Sequence, residues 1–150
     1  MTTMNNHIGL KGIFNLKFTN VKTGQIRELE FTNLILNSGL DRIAIGSFIG
    51  GCVLGSDSST PVATDTSITS ILGSSTTLQA YGVGTANTST PPYWCSYYWT
   101  FRFIEGVATG NISQVAMAFG TVSAGTTLFS LALVKDSGGT PITITKLADE

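Results

Sequence analysis

From Gly9 onward apolar and polar residues alternate one by one. Ile13, Asn15 and Lys17 fall on one side of an extended chain, and Phe14, Leu16 and Phe18 on the other. That spacing predicts a half-buried strand with its aromatic side inward. Asn20-Val-Lys-Thr-Gly-Gln25 is a turn, and Ile26 to Phe31 returns with Leu29 and Phe31 opposite Glu28 and Glu30. The first unit is thus an antiparallel hairpin. Its outer face offers Lys17, Arg27, Glu28 and Glu30 for cross-strand ion pairs, worth only ~0.2–1 kcal/mol each when exposed, so the aromatic face holds it.

After the apolar Leu34-Ile-Leu36, the stretch Asn37 to Ile45 is the one helical candidate. Ser38 is placed to cap it, Asp41 to reach back to the cap, and Leu40, Ile43 and Ala44 share a face. It reads as a short helix ending at Gly46 and plugging one end of the sheets. Phe48 to Leu54 reads as a strand, and Gly55 to Ser67 as a polar loop followed by Ile68, Ile71 and Leu72. Asp57 and Asp65 in that region match no calcium-loop spacing and are expected to accept hydrogen bonds from turn N–H groups. Residues 73–92 read as irregular.

Tyr93 to Phe103 is the aromatic centre. Alternation puts Tyr93, Cys95, Tyr97, Trp99, Phe101 and Phe103 on one face, expected in the core, and Trp94, Ser96, Tyr98, Thr100 and Arg102 on the other. An aromatic row of Trp94 and Tyr98 beside Arg102 suits a protein interface. Ile104 to Gly110 is a turn, Asn111 to Phe119 an alternating strand, and Gly120 to Thr126 a further turn. At the end, Leu128 to Val134 is apolar on both faces apart from Ser130, which predicts a strand deep in a sheet with something packed over each side. Asp136-Ser-Gly-Gly-Thr-Pro141 is a turn, and Ile142 to Leu147 alternates. The face carrying Thr143 and Thr145 is therefore wet or touches a partner. Strands at short spacing with Gly, Ser and Thr turns argue an all-β fold, an antiparallel β-sandwich with one short helix. Residues 1–8 read as a flexible polar arm and 9–150 as a single domain.

The 150 residues suffice for one domain with a core. A net charge of −1 gives no reason to expect nucleic acid or an anionic membrane as partner. Charged residues are 11% against roughly 25% in ordinary soluble domains, so Ser, Thr, Gly and Asn must cover most of the surface. Such a skin suits a subunit covered by its neighbours. Cys52 and Cys95 form no framework or metal pair and are expected as buried free thiols. The N-terminus lacks the basic and apolar regions of a secretory signal, and the run from Ile43 to Leu54 is too short to span a bilayer. Asn87-Thr-Ser and Asn111-Ile-Ser fit glycosylation triplets, which occur by chance. His7 is the only histidine and lies in the arm, no carboxylate pair stands out, and no cluster has metal spacing. The chain reads as a non-enzyme with no cofactor and no metal.

The C-terminal string Leu-Phe-Ser-x-Ala-Leu-Val-Lys-Asp-x-x-Gly-x-Pro-Ile-Thr-Ile-Thr-Lys-Leu-Ala-Asp-Glu resembles the close of a domain found in tail-fibre and related structural proteins of tailed bacteriophages. The resemblance extends in the same order through Phe31 to Arg42, Gly55 to Thr66, Trp99 to Phe103 and Ile112 to Phe119. It implies a virion structural protein, the attachment domain of a tail fibre or of a collar or tail appendage, which docks onto the particle and contributes to host attachment. The implied partners are tail, collar or baseplate proteins and further copies of the chain, as a trimer or ring. It also implies a further strand after Glu150, so that the domain would lack a distal part here. Where the family often has Arg after the Phe-Ser pair, this chain has Leu131. Two readings stand beside it. One is a capsid decoration (cement) or head-fibre protein. The other is a glycan-binding β-sandwich, which requires Trp94, Tyr97, Tyr98 and Arg102 exposed in one cleft and is opposed by the expected burial of Tyr97.

Overall fold

A computed structural model describes residues 9–46, 49–120 and 127–150. The expected N-terminal arm, Phe48 and most of the Gly120 to Thr126 turn lie outside the described residues. The strands are β1 (Gly12–Thr19), β2 (Ile26–Ile35), β3 (Ile49–Gly55), β4 (Ile71–Ser75), β5 (Leu78–Asn87), β6 (Trp94–Phe101), β7 (Gly110–Ile112), β8 (Gln114–Phe119), β9 (Leu128–Leu133) and β10 (Ile144–Lys146). One helix, α1 (Asn37–Ala44), follows β2. Six strands form an antiparallel sheet in the order β1-β2-β9-β8-β3-β4, while β7 pairs with β10 and β5 with β6. The sheets curl into a half-barrel, an all-β sandwich-like architecture.

The aromatic hairpin forms as its alternation dictates. Phe14 faces Phe31 across β1 and β2, Leu16 faces Leu29, and Phe14, Phe18 and Phe31 are buried. On the outer face Lys17 pairs with Glu28 at 3.1 Å. Arg27 is the exception. It lies opposite Phe18 on the inner face, because odd positions of β2 face inward at this register.

Strand β9 lies between β2 and β8, and the apolar strands of this centre divide their side chains between two cores. Cys52, Leu54, Val115, Met117, Ala132 and Val134 join the aromatic hairpin, together with Ala108 and Ile112, in one cluster. Val53, Ala116, Ala118, Leu128 and Leu131 join Leu36 and Ile68 in the other. A strand with both faces covered gains burial from every side chain, which is why β8 and β9 read as near-continuous apolar runs. The single alternation expected over Asn111 to Phe119 therefore resolves into two strands, β7 and β8, the latter buried on both faces.

The C-terminal turn forms, held by Asp136 Oδ1, which accepts from the N–H groups of Gly138 and Thr140 at 2.9 Å each. Pairing across it stops at Lys135 and Pro141. The chain then leaves β9, and β10 pairs with β7 instead, so the alternating stretch after the turn joins another sheet rather than folding back along β9.

Helix α1 forms at the expected place but rests differently. Neither Ser38 nor Asp41 caps it: Leu36 is the N-cap residue, without a side-chain bond, and Ser38 Oγ donates to the Leu128 carbonyl at 2.8 Å. Leu40, Ile43 and Ile45 are exposed, and the residue buried against β9 is Gly39. The helix thus packs through its smallest residue rather than through the apolar face the spacing suggested.

Residues 73–92 are not irregular. They contain most of β4 and all of β5. Strand β4 extends the main sheet beside β3, and β5 forms a separate ribbon with β6.

Candidate functional site

Strands β5 and β6 make a two-stranded ribbon in which no residue is buried. Its base is anchored: Arg102 donates its N–H to the Thr77 carbonyl at 3.0 Å, Ser75 Oγ donates to the Arg102 carbonyl, and Trp99, Phe101 and Phe103 pack on the aromatic core. Its tip is closed by Asn87, whose side-chain amide donates to the carbonyls of Thr90 at 2.8 Å and Pro92 at 3.0 Å. Between base and tip, Tyr81, Val83, Tyr93, Trp94, Tyr97 and Tyr98 are all exposed.

The register divides these side chains. Tyr81 lies opposite Trp99 and Val83 opposite Tyr97, on one face. Tyr97 and Trp99 stack on that face with centroids 6.3 Å apart. Trp94, Ser96, Tyr98, Thr100 and Arg102 fall on the other, where Tyr98 crosses over Gly82 and Ser96 Oγ bonds the N–H and carbonyl of Thr85 at 2.9 and 3.0 Å. A Cβ at Gly84 would stand 2.5 Å from Ser96 Oγ, so the glycine makes room for that bond.

The expected core face of Tyr93 to Phe103 is therefore corrected. Only Trp99, Phe101 and Phe103 reach the core, and Tyr93, Cys95 and Tyr97 are exposed because the ribbon runs past the sheet that would have covered them. Cys52 is the buried thiol, pushed up to about 12 by burial. Trp94, Tyr98 and Arg102 are exposed on one face of the ribbon. The exposure required for a glycan cleft is met by Trp94, Tyr97, Tyr98 and Arg102, but Tyr97 points away from the other three, so they do not line one cleft. The ribbon shares a further property with its flanks: no charged residue occurs from Thr66 through Phe101. That gap in charge, with aromatics on both faces of one strand, is the sequence signal for an exposed ribbon.

Thr143 and Thr145 are exposed and lie away from that ribbon in sequence and pairing. Thr143 Oγ1 shares a hydrogen bond with Ser113 Oγ at 2.8 Å, and Thr145 Oγ1 donates to Asn111 Oδ1 at 2.8 Å. The hollow beside Thr143, with Ser58, Ser113, Leu133, Pro141 and Ile142, is about 110 Å³. It is below the ~300–1,000 Å³ of small-molecule sites. Asp57 and Asp65 serve turns as expected: Asp57 accepts from Ser59 N–H and from the hydroxyls of Ser59 and Thr69, and Asp65 from the Val62 N–H. The hydroxyls of Ser59 and Thr69 hold the Asp57 carboxyl at about 2. Among the described residues no group of three or more His, Cys, Asp and Glu is placed to hold a metal. Among the described residues no helix is long and apolar enough to cross a membrane.

A second polar constellation holds the end of the chain. Arg27 Nη2 donates to both Glu150 carboxylate oxygens at 2.7 Å and to the Thr145 carbonyl at 2.9 Å, while its guanidinium lies 5.1 Å above the Phe18 ring. The Glu150 side chain is only 5% exposed. Burial pushes its carboxyl up, but the Leu147 N–H, 2.7 Å away, and Arg27 outweigh that and hold it below the usual range. Lys146, buried beside it, donates Nζ to the Glu150 carbonyl at 2.5 Å. A carboxyl lowered in the folded state adds stability above its unfolded value of ~4.3, and that increment disappears as pH falls through the folded value. Glu150→Gln should therefore lower the melting temperature at pH 6, by a difference that narrows as the pH is lowered below ~4.3. Thermal melts of the two proteins that stayed parallel across that window would remove Glu150 from the acid transition.

Comparison with known protein families, with curated proteins and with solved structures finds no match.

Proposed function

We propose that the chain is a structural subunit of a tailed-bacteriophage particle, a domain of a tail fibre or of a collar or tail appendage that docks onto neighbouring virion proteins and contributes to host attachment. The observation that carries this reading is the β5–β6 ribbon, which exposes aromatic side chains on both faces and carries no charged residue beyond Arg102 at its base. An uncharged aromatic surface of this kind favours a protein partner over water. The ordered resemblance of the sequence to phage tail proteins supplies the kind of particle. On this reading Trp94, Tyr98 and Arg102 contact a tail, collar or baseplate protein, Thr143 and Thr145 lie at a second contact, and the protein catalyses no reaction.

Electron cryo-microscopy of intact particles tests it. Density for this chain as a ring or as fibre bases on the tail or collar is the expected result. Copies spread over the capsid lattice would replace it with the decoration reading, and absence from the particle would overturn both.

A further inference from the structure

The face of the ribbon opposite Trp94 and Tyr98 has a property of its own. Its aromatic row begins in the core, with Phe103, Phe101 and Trp99 packed on the buried cluster, and continues outward through Tyr97. Across the ribbon Val83 and Tyr81 widen the row. Tyr81 is 71% exposed, Val83 62% and Tyr97 60%. The apolar surface that fills the domain's interior thus runs out beyond its edge without interruption.

We infer that this face, Tyr81, Val83, Tyr97 and the exposed part of Trp99, is covered by the same face of a second copy of the chain. A lone two-stranded ribbon is marginal in water, because one sheet face of this width has nothing to pack on. Two ribbons stacked at the usual ~10 Å separation between sheets make a four-stranded sandwich with those side chains as its interior. Like surfaces meet in such an arrangement, so a charge near the two-fold axis would confront its own copy, and the chain carries none from Thr66 through Phe101. A fully buried Tyr covers ~150–250 Å², so the exposed parts of Tyr81, Val83 and Tyr97 alone supply roughly 300 Å² per copy. The exposed parts of Trp99 and Cys95 on the same face raise this to about half of the ~800 Å² per partner of a standard interface, the area of a weak association, which sets the concentration range of the test. Ser96 and Thr85 close the opposite face with mutual hydrogen bonds, which leaves that side free for a different neighbour.

The inference does not depend on the virion reading. It is tested on the isolated full chain by light scattering after size-exclusion chromatography, from low micromolar to near-millimolar concentration. The expected mass is that of two or more chains, falling to one chain in the double variant Val83→Asp, Tyr97→Asp and unchanged in Trp94→Ala, on the opposite face. A single-chain mass throughout, or an oligomer that survives the double substitution, overturns it. Circular dichroism checks that the double variant is folded. If it is not, Tyr81→Lys, at the most exposed of the three positions, takes its place with the same two outcomes. A monomeric chain found on the particle would sink this inference and spare the virion reading, whereas an oligomer absent from the particle would do the reverse.

Discussion

Gly39→Ala destabilises the protein, although alanine for glycine inside a helix ordinarily stabilises by about 1 kcal/mol. An added Cβ at Gly39 would lie 2.2 Å from the Phe129 carbonyl oxygen on β9. That oxygen cannot step aside, because it accepts the Leu36 N–H at 3.0 Å, and Ser38 Oγ holds the neighbouring Leu128 carbonyl. The helix must lift from the sheet and give up these bonds. Overpacking of this kind costs about 3 kcal/mol, a fall of roughly 6–12 °C in melting temperature for a domain of this size. A melting temperature at or above that of the parent protein would show that α1 does not rest on β9 through Gly39.

Leu131→Ala has a comparable effect by the opposite route. Leu131 is 2% exposed, in the core that Leu36, Val53, Ile68, Ala116, Ala118 and Leu128 complete. Truncation removes buried methyl groups and leaves a cavity that the flanking strands, paired to β9 on both sides, cannot close. The expected loss is about 3 kcal/mol. Trp94→Ala deletes a larger side chain from the exposed ribbon and should shift stability by no more than about 0.5 kcal/mol. Urea unfolding of the three proteins measures both, and a Trp94→Ala loss equal to that of Leu131→Ala would mean that the ribbon is part of the core after all.

The contrast between Leu131 and Trp94 also marks where the sequence could be read. Alternation of Phe14, Leu16 and Phe18 with Asn15 and Lys17 marks both the strand and its buried face, since among Ile13, Asn15 and Lys17 on the other side only Ile13 is apolar. The two-sided apolar run of β9 announces its depth for the same reason. In β6 both faces are apolar or aromatic, and period alone states that two faces exist without saying which is covered. Size argues for burial of its large aromatics, a rule they follow only where another layer lies above them. Strand β5 was hidden because Gly82, Gly84 and small polar residues dilute its pattern, and its partner lies across a loop. The helix defeated its own apolar spacing because a close approach of backbone to backbone, visible only in three dimensions, selected glycine. Arg27 lies on the inner face of the hairpin rather than among its outer ion pairs, and its partner Glu150 stands at the far end of the sequence, beyond the reach of any local pattern.

The place of β9 between β2 and β8 has a consequence during synthesis. Strand β2 pairs with β9 through Leu34 with Leu131 and Ile35 with Ser130, residues that emerge from the ribosome about a hundred positions apart. At ~5–20 residues per second, the first hairpin waits roughly 5–20 s with one edge open before its neighbour exists. Glu150, which fastens Arg27, comes later still. Until β9 emerges the nascent chain therefore carries an aromatic hairpin with an unsatisfied edge, and an edge of that kind is where a chaperone or another nascent chain would bind.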